Sequence, residues 1–353
     1  MVDTQRRSYW FAVALIAVLV LAAGALLAAT GVDPLRAGQA LVSGSLGSWY
    51  AIGSGTLVRA TPLILTGLSV AVSFRAGVFN IGADGQFLVG AAAATWVALL
   101  CRTSASWLVI PAVIAASAIA GAAWAGIAAV LRTRFHVLEV ISTLMLNFVA
   151  SYLISYLVRG PLQEPTHVYP QTSSIADTAR LPRFGPTTRL HLGFALAIAA
   201  CLLVWWTVRF TAAGFRLRLV GANPDAARSA AQIDVDRVTT NAFLLSGAIA
   251  GIAGALEVSG VTFALYENIS PGYGYTAIAV ALLARLDAGA VIATGILFGT
   301  LETGASAMQR DAGAPSVIVS IIEAGIILAL VAVDRVRFAA TLNGASEHRV
   351  AAE

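Results

Sequence analysis

The sequence predicts an all-α polytopic membrane protein with about ten transmembrane helices, some of them interrupted, and an internal repeat. Three observations predict it. The 353 residues are 58% hydrophobic and only 11% charged, with a mean hydropathy of +0.83, whereas a soluble domain carries about a quarter charged residues. Apolar segments of about 20 residues recur along the chain, each long enough to cross a hydrocarbon layer of about 30 Å as a helix. Two of the apolar runs are broken by glycine and polar residues in a similar order, which argues for a duplication of about half the chain.

The N-terminus reads Arg6-Arg7 and then an apolar run from Trp10 to Ala29. A signal peptide has an apolar core of about 7–15 residues; this run is longer, which favours an uncleaved first helix over 10–29 with Arg6 and Arg7 on the cytoplasmic side. Further spans are expected at 60–74, 86–100, 107–131, 137–158, 191–208, 239–258, 275–286, 288–305 and 316–333, all in one permeation-scale membrane domain covering 1–353. Alternating them from a cytoplasmic start places 14 of the 22 arginines inside and 8 outside, with both termini in the cytoplasm. Among the inside arginines are Arg132, Arg134, Arg335 and Arg337. Arg159, Arg180, Arg183 and Arg189 are outside, in the Pro-rich connection between the fifth and sixth spans.

Composition excludes several chemistries. Every basic residue of the Lys+Arg total is arginine, so a phosphate-binding loop of the G-x-x-x-x-G-K-[ST] type and Schiff-base catalysis are both absent. Cys101 and Cys201 have no C-x-x-C or histidine neighbours, and His136, His167, His191 and His348 are scattered, so neither a disulfide framework nor a zinc site is expected. No Ser-His-Asp order, H-E-x-x-H or paired-carboxylate motif stands out, and the chain is not expected to be an enzyme.

The first break reads Phe74 to Gln86 and interrupts an apolar pattern with three glycines and two charges; the second reads Glu267 to Tyr275. Non-helical backbone at membrane depth is tolerated only when buried in protein or facing a watery cavity. The first break is therefore either a plain cytoplasmic turn or part of a solute path. As a path it offers Asn80 and Gln86, which donate and accept as a polar uncharged solute requires, and Phe79, on which a base can stack. Asp84 either receives a ligand hydroxyl or caps the helix starting near Gly85. Asn268 and Tyr275 are the corresponding candidates in the second break.

The fifth span opens with Glu139, Ser142, Thr143 and Asn147 on roughly one helical face. That face points at a cavity or another helix, and Thr143 and Asn147 serve either as path residues or as interhelical glue. Glu139 is expected near the cytoplasmic end, neutralised by Arg132 or Arg134. Glu257, Glu302 and Glu323 are further acids in or beside spans, and a proton relay would need them.

The cytoplasmic loop 209–238 contains Gly221-Ala222-Asn223-Pro224-Asp225-Ala226-Ala227-Arg228. Asn223 as N-cap, Pro224 as the first residue and Asp225 in the first turn mark a helix start. Residues 226–233 are expected to form a short surface helix, either a connector or a surface for another protein.

Phe79-Asn80-Ile81-Gly82-Ala83-Asp84-Gly85-Gln86, Glu139 to Asn147 and Gly221 to Ala227 resemble the ABC-transporter permeases of the branched-chain amino acid and simple-sugar superfamily, and within it the nucleoside permeases that work with basic-membrane-protein-type lipoproteins. The likeness continues through Gly274 to Ala284 and Ile296 to Gly299, from about Ala60 to Val333. It departs at Asp84, where the family usually has Glu, and at Ala288, where Pro is frequent. The resemblance implies an importer of the bacterial cytoplasmic membrane, with ATP-binding subunits, a second permease subunit (homo- or heterodimeric) and an extracytoplasmic solute-binding protein as partners beside the lipid bilayer, and no nucleic acid. ATP is bound by the partners, so no cofactor is expected in this chain. Gly221 and Asn223 to Arg228 resemble the coupling helix that docks on the ATPase, and the Asn80 and Asn147 regions match stretches around the solute path. Nucleosides are the first solute, pentoses or hexoses the next; the alternative class is a proton-coupled secondary transporter.

Overall fold

A computed structural model describes residues 21–315 and, outside them, only the isolated positions 14, 17, 18, 317, 320, 321, 324 and 325. Most of the expected tenth span, eight residues of the first, Arg6, Arg7, Glu323, Arg335 and Arg337 lie outside the described residues. Contacts divide the chain into two compact units, one of residues 52–300 and one of the two terminal parts.

In the larger unit, α2 (Leu57–Arg75) continues a π-helical turn, Ala51–Thr56, and is followed by α3 (Ala83–Leu100), α4 (Ser106–Phe135) and α5 (Glu139–Arg159). After a long connection come α6 (Leu192–Phe210), α7 (Ala212–Ala222), α8 (Pro224–Ser229), α9 (Val235–Glu257) with a π-helical extension Val258–Thr262, α10 (Tyr273–Leu283) and the first part of α11 (Ala290–Ala312). In the terminal unit, residues 21–29 are helical and α1 (Pro34–Leu46) begins at Asp33, whose carboxylate accepts from Leu35 N at 2.9 Å. Leu27, Ala37, Ala40, Met308 and Ala314 form the core of that unit. The sequence reading had assigned no helix to α1.

Seven helices among the described residues are long and apolar enough to cross a membrane. They match seven of the expected spans to within a few residues at most ends; the second span is extended at its start by the π-helical turn. The span expected at 275–286 is different. α10 has 11 residues, about 16 Å of helix at about 1.5 Å per residue, which is half a crossing.

The core of the larger unit is made by α9 packed on α4, α3 and α2. α4 and α9 approach at Gly121, Gly247 and Gly251, where a Cβ added at Gly121 would lie 2.2 Å from the Gly247 carbonyl oxygen. Only residues without side chains permit such an approach, and close backbone packing is what holds helices together where lipid removes the hydrophobic drive. One end of this bundle carries Arg75, Arg132, Arg134 and the α7–α8 segment. The opposite end carries the connection 160–191, tied to the chain after α9 by Thr172 N to Leu265 O, Ile175 N to Phe263 O and Leu181 N to Ser259 O, each 2.8 Å.

Candidate functional site

The first break begins where α2 ends. Gly77 has φ +76°, and the chain then runs through residues 78–82 into α3. Asn80 organises this turn: its Oδ1 accepts from Gly82 N at 2.9 Å and from Gln86 Nε2 at 3.1 Å, while its Nδ2 donates to Gln86 Oε1 at 3.1 Å and Ser246 Oγ at 2.9 Å. Ser246 in turn meets Ser69 at 2.9 Å. Asn80 and Gln86 are thus a buried amide pair that bond each other, with Asn80 also donating to α9 through Ser246.

The polar face of α5 closes the same turn from the other side. Thr143 Oγ1 accepts from Ile81 N at 3.2 Å and donates to Glu139 O at 2.7 Å. Asn147 Oδ1 accepts from Gly85 N at 2.8 Å, and its Nδ2 donates to Ile81 O at 2.9 Å and reaches the Tyr275 hydroxyl at 3.3 Å. Asn147 stands eight residues along α5 from Glu139, about 12 Å from the helix start at about 1.5 Å per residue. The break therefore returns the chain to a level more than a third of the way along α5, where its free backbone groups take side-chain partners.

The second break meets the first there. The Asp84 carboxylate accepts from Ser270 Oγ at 2.7 Å and from Gly274 N at 3.0 Å. Neither sequence reading of Asp84 foresaw this: the residue lies in the first turn of α3 but caps α10. A Cβ at Gly274 would lie 2.1 Å from Asp84 N, so the N-termini of α3 and α10 abut through glycine. Both present the positive end of a helix dipole at one place, and Asp84 and Asn147 occupy the N–H groups that face inward.

Of the candidate path residues, Asn80 with Gln86, Thr143 with Asn147 and Tyr275, and Asp84 form three hydrogen-bonded groups brought together by the backbone of the two breaks. Phe79 and Tyr275 are exposed at their surface, at 53% and 41%, and Phe79 sits edge-on to Phe74 at 5.1 Å. Asn268, with φ +57°, is exposed and makes no side-chain hydrogen bond among the described residues. Sequence reasoning passed over Ser69, Ser246 and Ser270; a serine at helical spacing in an apolar run is the signal that would have found the first two.

At the arginine-rich end, Asn223 closes α7 and opens α8, its Oδ1 accepting from Ala226 N at 3.0 Å. The helix start at Asn223-Pro224-Asp225 stands as expected, but α8 ends at Ser229 instead of reaching residue 233. Ile233 N folds back to Ala227 O at 3.0 Å and Gln232 takes φ +49°, so the chain turns toward α9. Ala227 is buried with Val220 and Val235, while Asn223 to Ala226 and Arg228 are exposed. The sequence predicts loop over 209–222, and α7 corrects it: Thr211 caps a helix there through Gly214 N.

The chain matches the family model described as the branched-chain amino acid transport system / permease component over residues 52–331. It is 40% identical to a glucose ABC transporter permease protein of Haloferax volcanii, over 91% of this chain and 88% of that one. It is 37% identical to a guanosine ABC transporter permease protein of Bacillus subtilis, over 92% and 94%, and 32% identical to a nucleoside ABC transporter permease protein of Lactococcus lactis, over 85% and 84%. This chain belongs to that permease family.

A permease component is a transport subunit, not an enzyme. Glu139 pairs with Arg132 at 3.5 Å at the end of α5, as its position predicted. Glu257 is buried in the last turn of α9. Among the described residues no group of three or more His, Cys, Asp or Glu is arranged to hold a metal, and Cys101 and Cys201 are free thiols. Outside the spans, two groups carry strong environmental shifts. Glu267 is held at about 2 by hydrogen bonds from Arg159 and Ser155. Burial, with Arg183 and Arg189 nearby, lowers His191 to about 4; its Nδ1 accepts from Gly193 N and its Nε2 has no partner among the described residues.

Proposed function

We propose that this permease carries a polar, uncharged solute, a nucleoside first, inward across a bacterial cytoplasmic membrane, driven by ATPase subunits that are separate chains. The observation that carries the solute reading is the exposed aromatic pair Phe79 and Tyr275 flanking the joined breaks. A base stacked on an aromatic ring gains about 1–3 kcal/mol, while the buried amides behind the pair keep the lining in place. In this reading Asn80, Asp84, Gln86, Thr143 and Asn147 shape the path, and Phe79, Asn268 and Tyr275 face the solute. The meeting of the two breaks supports an internal repeat, with the site at the interface of its halves.

The exposed α8, anchored by Ala227, supports a coupling role for Gly221 and Asn223 to Arg228: a rigid knob at the arginine-rich, cytoplasmic end onto which the ATPases dock. A second permease subunit and an external solute-binding protein complete the assembly, and both termini lie in the cytoplasm. The second reading, a sugar solute, is supported by the glucose-permease relative.

Proteoliposomes holding the complete complex decide between them. Guanosine uptake that needs ATP and falls about tenfold in Phe79→Ala, as loss of one stacking contact implies, supports the nucleoside reading. ATP-dependent glucose uptake indifferent to Phe79→Ala establishes the sugar reading instead.

A further inference from the structure

At the arginine-rich end of the larger unit, α2, α6, α7 and the turn after α10 enclose a cavity of about 110 Å³ whose wall includes Arg75, Arg209, Arg218, Trp205, Val208 and Asp287. We propose that this cavity binds the headgroup of an anionic phospholipid, its phosphodiester held by Arg209 and Arg218.

The charge balance points there. Three arginines face one carboxylate, and that carboxylate is already engaged: Asp287 Oδ1 accepts from Gly289 N and Ala290 N, both at 3.0 Å, at the start of α11. Arg75 donates to Leu286 O at 2.8 Å, which fixes its guanidinium in the wall. Arg209 lies over the Trp205 ring at 5.6 Å. Arg218 makes no hydrogen bond or ion pair among the described residues. A guanidinium presents a fork of donors that matches phosphate oxygens, and several of them around one concavity form a site for a phosphate ester.

The surroundings select a lipid as the source. Arg75 is the last residue of α2 and Arg209 the next to last of α6, so the cationic groups sit where apolar spans end. Below them α6 exposes Leu202, Leu203 and Trp206, an apolar face along which acyl chains can lie. Indole and arginine side chains concentrate at this depth of a bilayer, and basic pockets between spans accept anionic headgroups. Binding is independent of the solute and of the ATPases; only its assignment to the cytoplasmic leaflet rests on the orientation proposed above.

The test uses the purified full chain, without ATPases, in phosphatidylcholine-containing micelles to which phosphatidylglycerol is added, with bound lipid counted by native mass spectrometry. The wild-type chain retains phosphatidylglycerol in preference to phosphatidylcholine, and the Arg209→Gln, Arg218→Gln double variant loses that preference at least about tenfold, the effect of removing charge-assisted bonds, with unchanged helical content. If the double variant loses helical content, Arg218→Gln alone replaces it. Equal retention of both lipids, or a preference untouched by the variants, overturns the proposal. So does protection by millimolar inorganic phosphate without lipid retention, which makes the site one for a small anion, or loss of ATPase co-purification in the variants without any lipid effect, which assigns the arginines to a protein partner. Failure of ATP-driven uptake would leave all of these outcomes readable.

Discussion

The carboxylate of Asp84, in the first turn of α3, accepts the backbone N–H of Gly274, in the first turn of α10, at 3.0 Å. A single side chain thereby ties two interrupted helices at their N-termini, and the breaks become one structure instead of two turns.

Asp84→Ala leaves Gly274 N and Ser270 Oγ without their acceptor. The buried Gly274 N–H so orphaned costs about 1–3 kcal/mol, and the thermal midpoint of the purified chain falls accordingly. Asp84→Asn retains an acceptor oxygen and loses less. Equal midpoints for Ala and wild type would show the tie to be idle.

Asn147 must donate and accept at once, toward Ile81 O and from Gly85 N. Asp matches its shape but, ionised, cannot donate. Asn147→Asp therefore depresses transport at least as far as Asn147→Ala, measured as ATP-dependent uptake by the complex, and Asn147→Gln does not restore it.

Acid stability separates into two windows. Glu267 has a folded pKa of about 2, below its ordinary value of about 4.3. The unfolded chain binds more protons between those values, so this stabilisation is present above about pH 5 and is lost as pH falls toward 2. Arg159 is largely exposed, which keeps the contribution small. His191, lowered to about 4, follows the same sign from its ordinary value of about 6.5: stability is lost between about pH 6.5 and 4 as the unfolded imidazole takes a proton that the buried one refuses. Midpoints followed from pH 7 to 3 show both slopes in the wild type; His191→Phe removes the upper one and Glu267→Gln the lower.

Ala227 donates to Asn223 O at 3.0 Å and is buried beside Val220 and Val235. A proline there removes the N–H inside a helix of one and a half turns and cannot continue it. Ala227→Pro inserts normally but loses uptake and ATPase co-purification. Recruitment at the wild-type level would refute the coupling role.

How far this was legible in the sequence depends on the range of the interactions involved. Hydrophobic run length located seven helices long and apolar enough to cross, because the bilayer fixes how long such a run must be. Glycine and charge located the breaks, and Asn223-Pro224 located the start of α8, because caps are local chemistry. What composition could not reveal was pairing. Asn80 and Gln86 read from the sequence as groups for a polar solute if the break is a path; their bonds to each other, and that of Asn80 to Ser246 on α9, depend on tertiary packing. Asp84 was weighed as a cap for its own helix; the close approach at Gly274 gives it another. The far end of α8 was missed because its stop is the return of Ile233 to Ala227, and α7 because its arginines hide a helix that rests on α6.

The account stands on an apolar conduit moved by hydrolysis in other chains. Its sharpest test is accumulation of labelled solute by proteoliposomes in two preparations, the permease alone under an imposed proton gradient and the permease with its ATPases and binding protein without any ion gradient. The predicted result is accumulation against the gradient only in the second, and only with hydrolysable ATP. Concentration of solute by the permease alone under an imposed proton gradient would contradict it and return Glu257 and Glu302 to the centre as proton carriers.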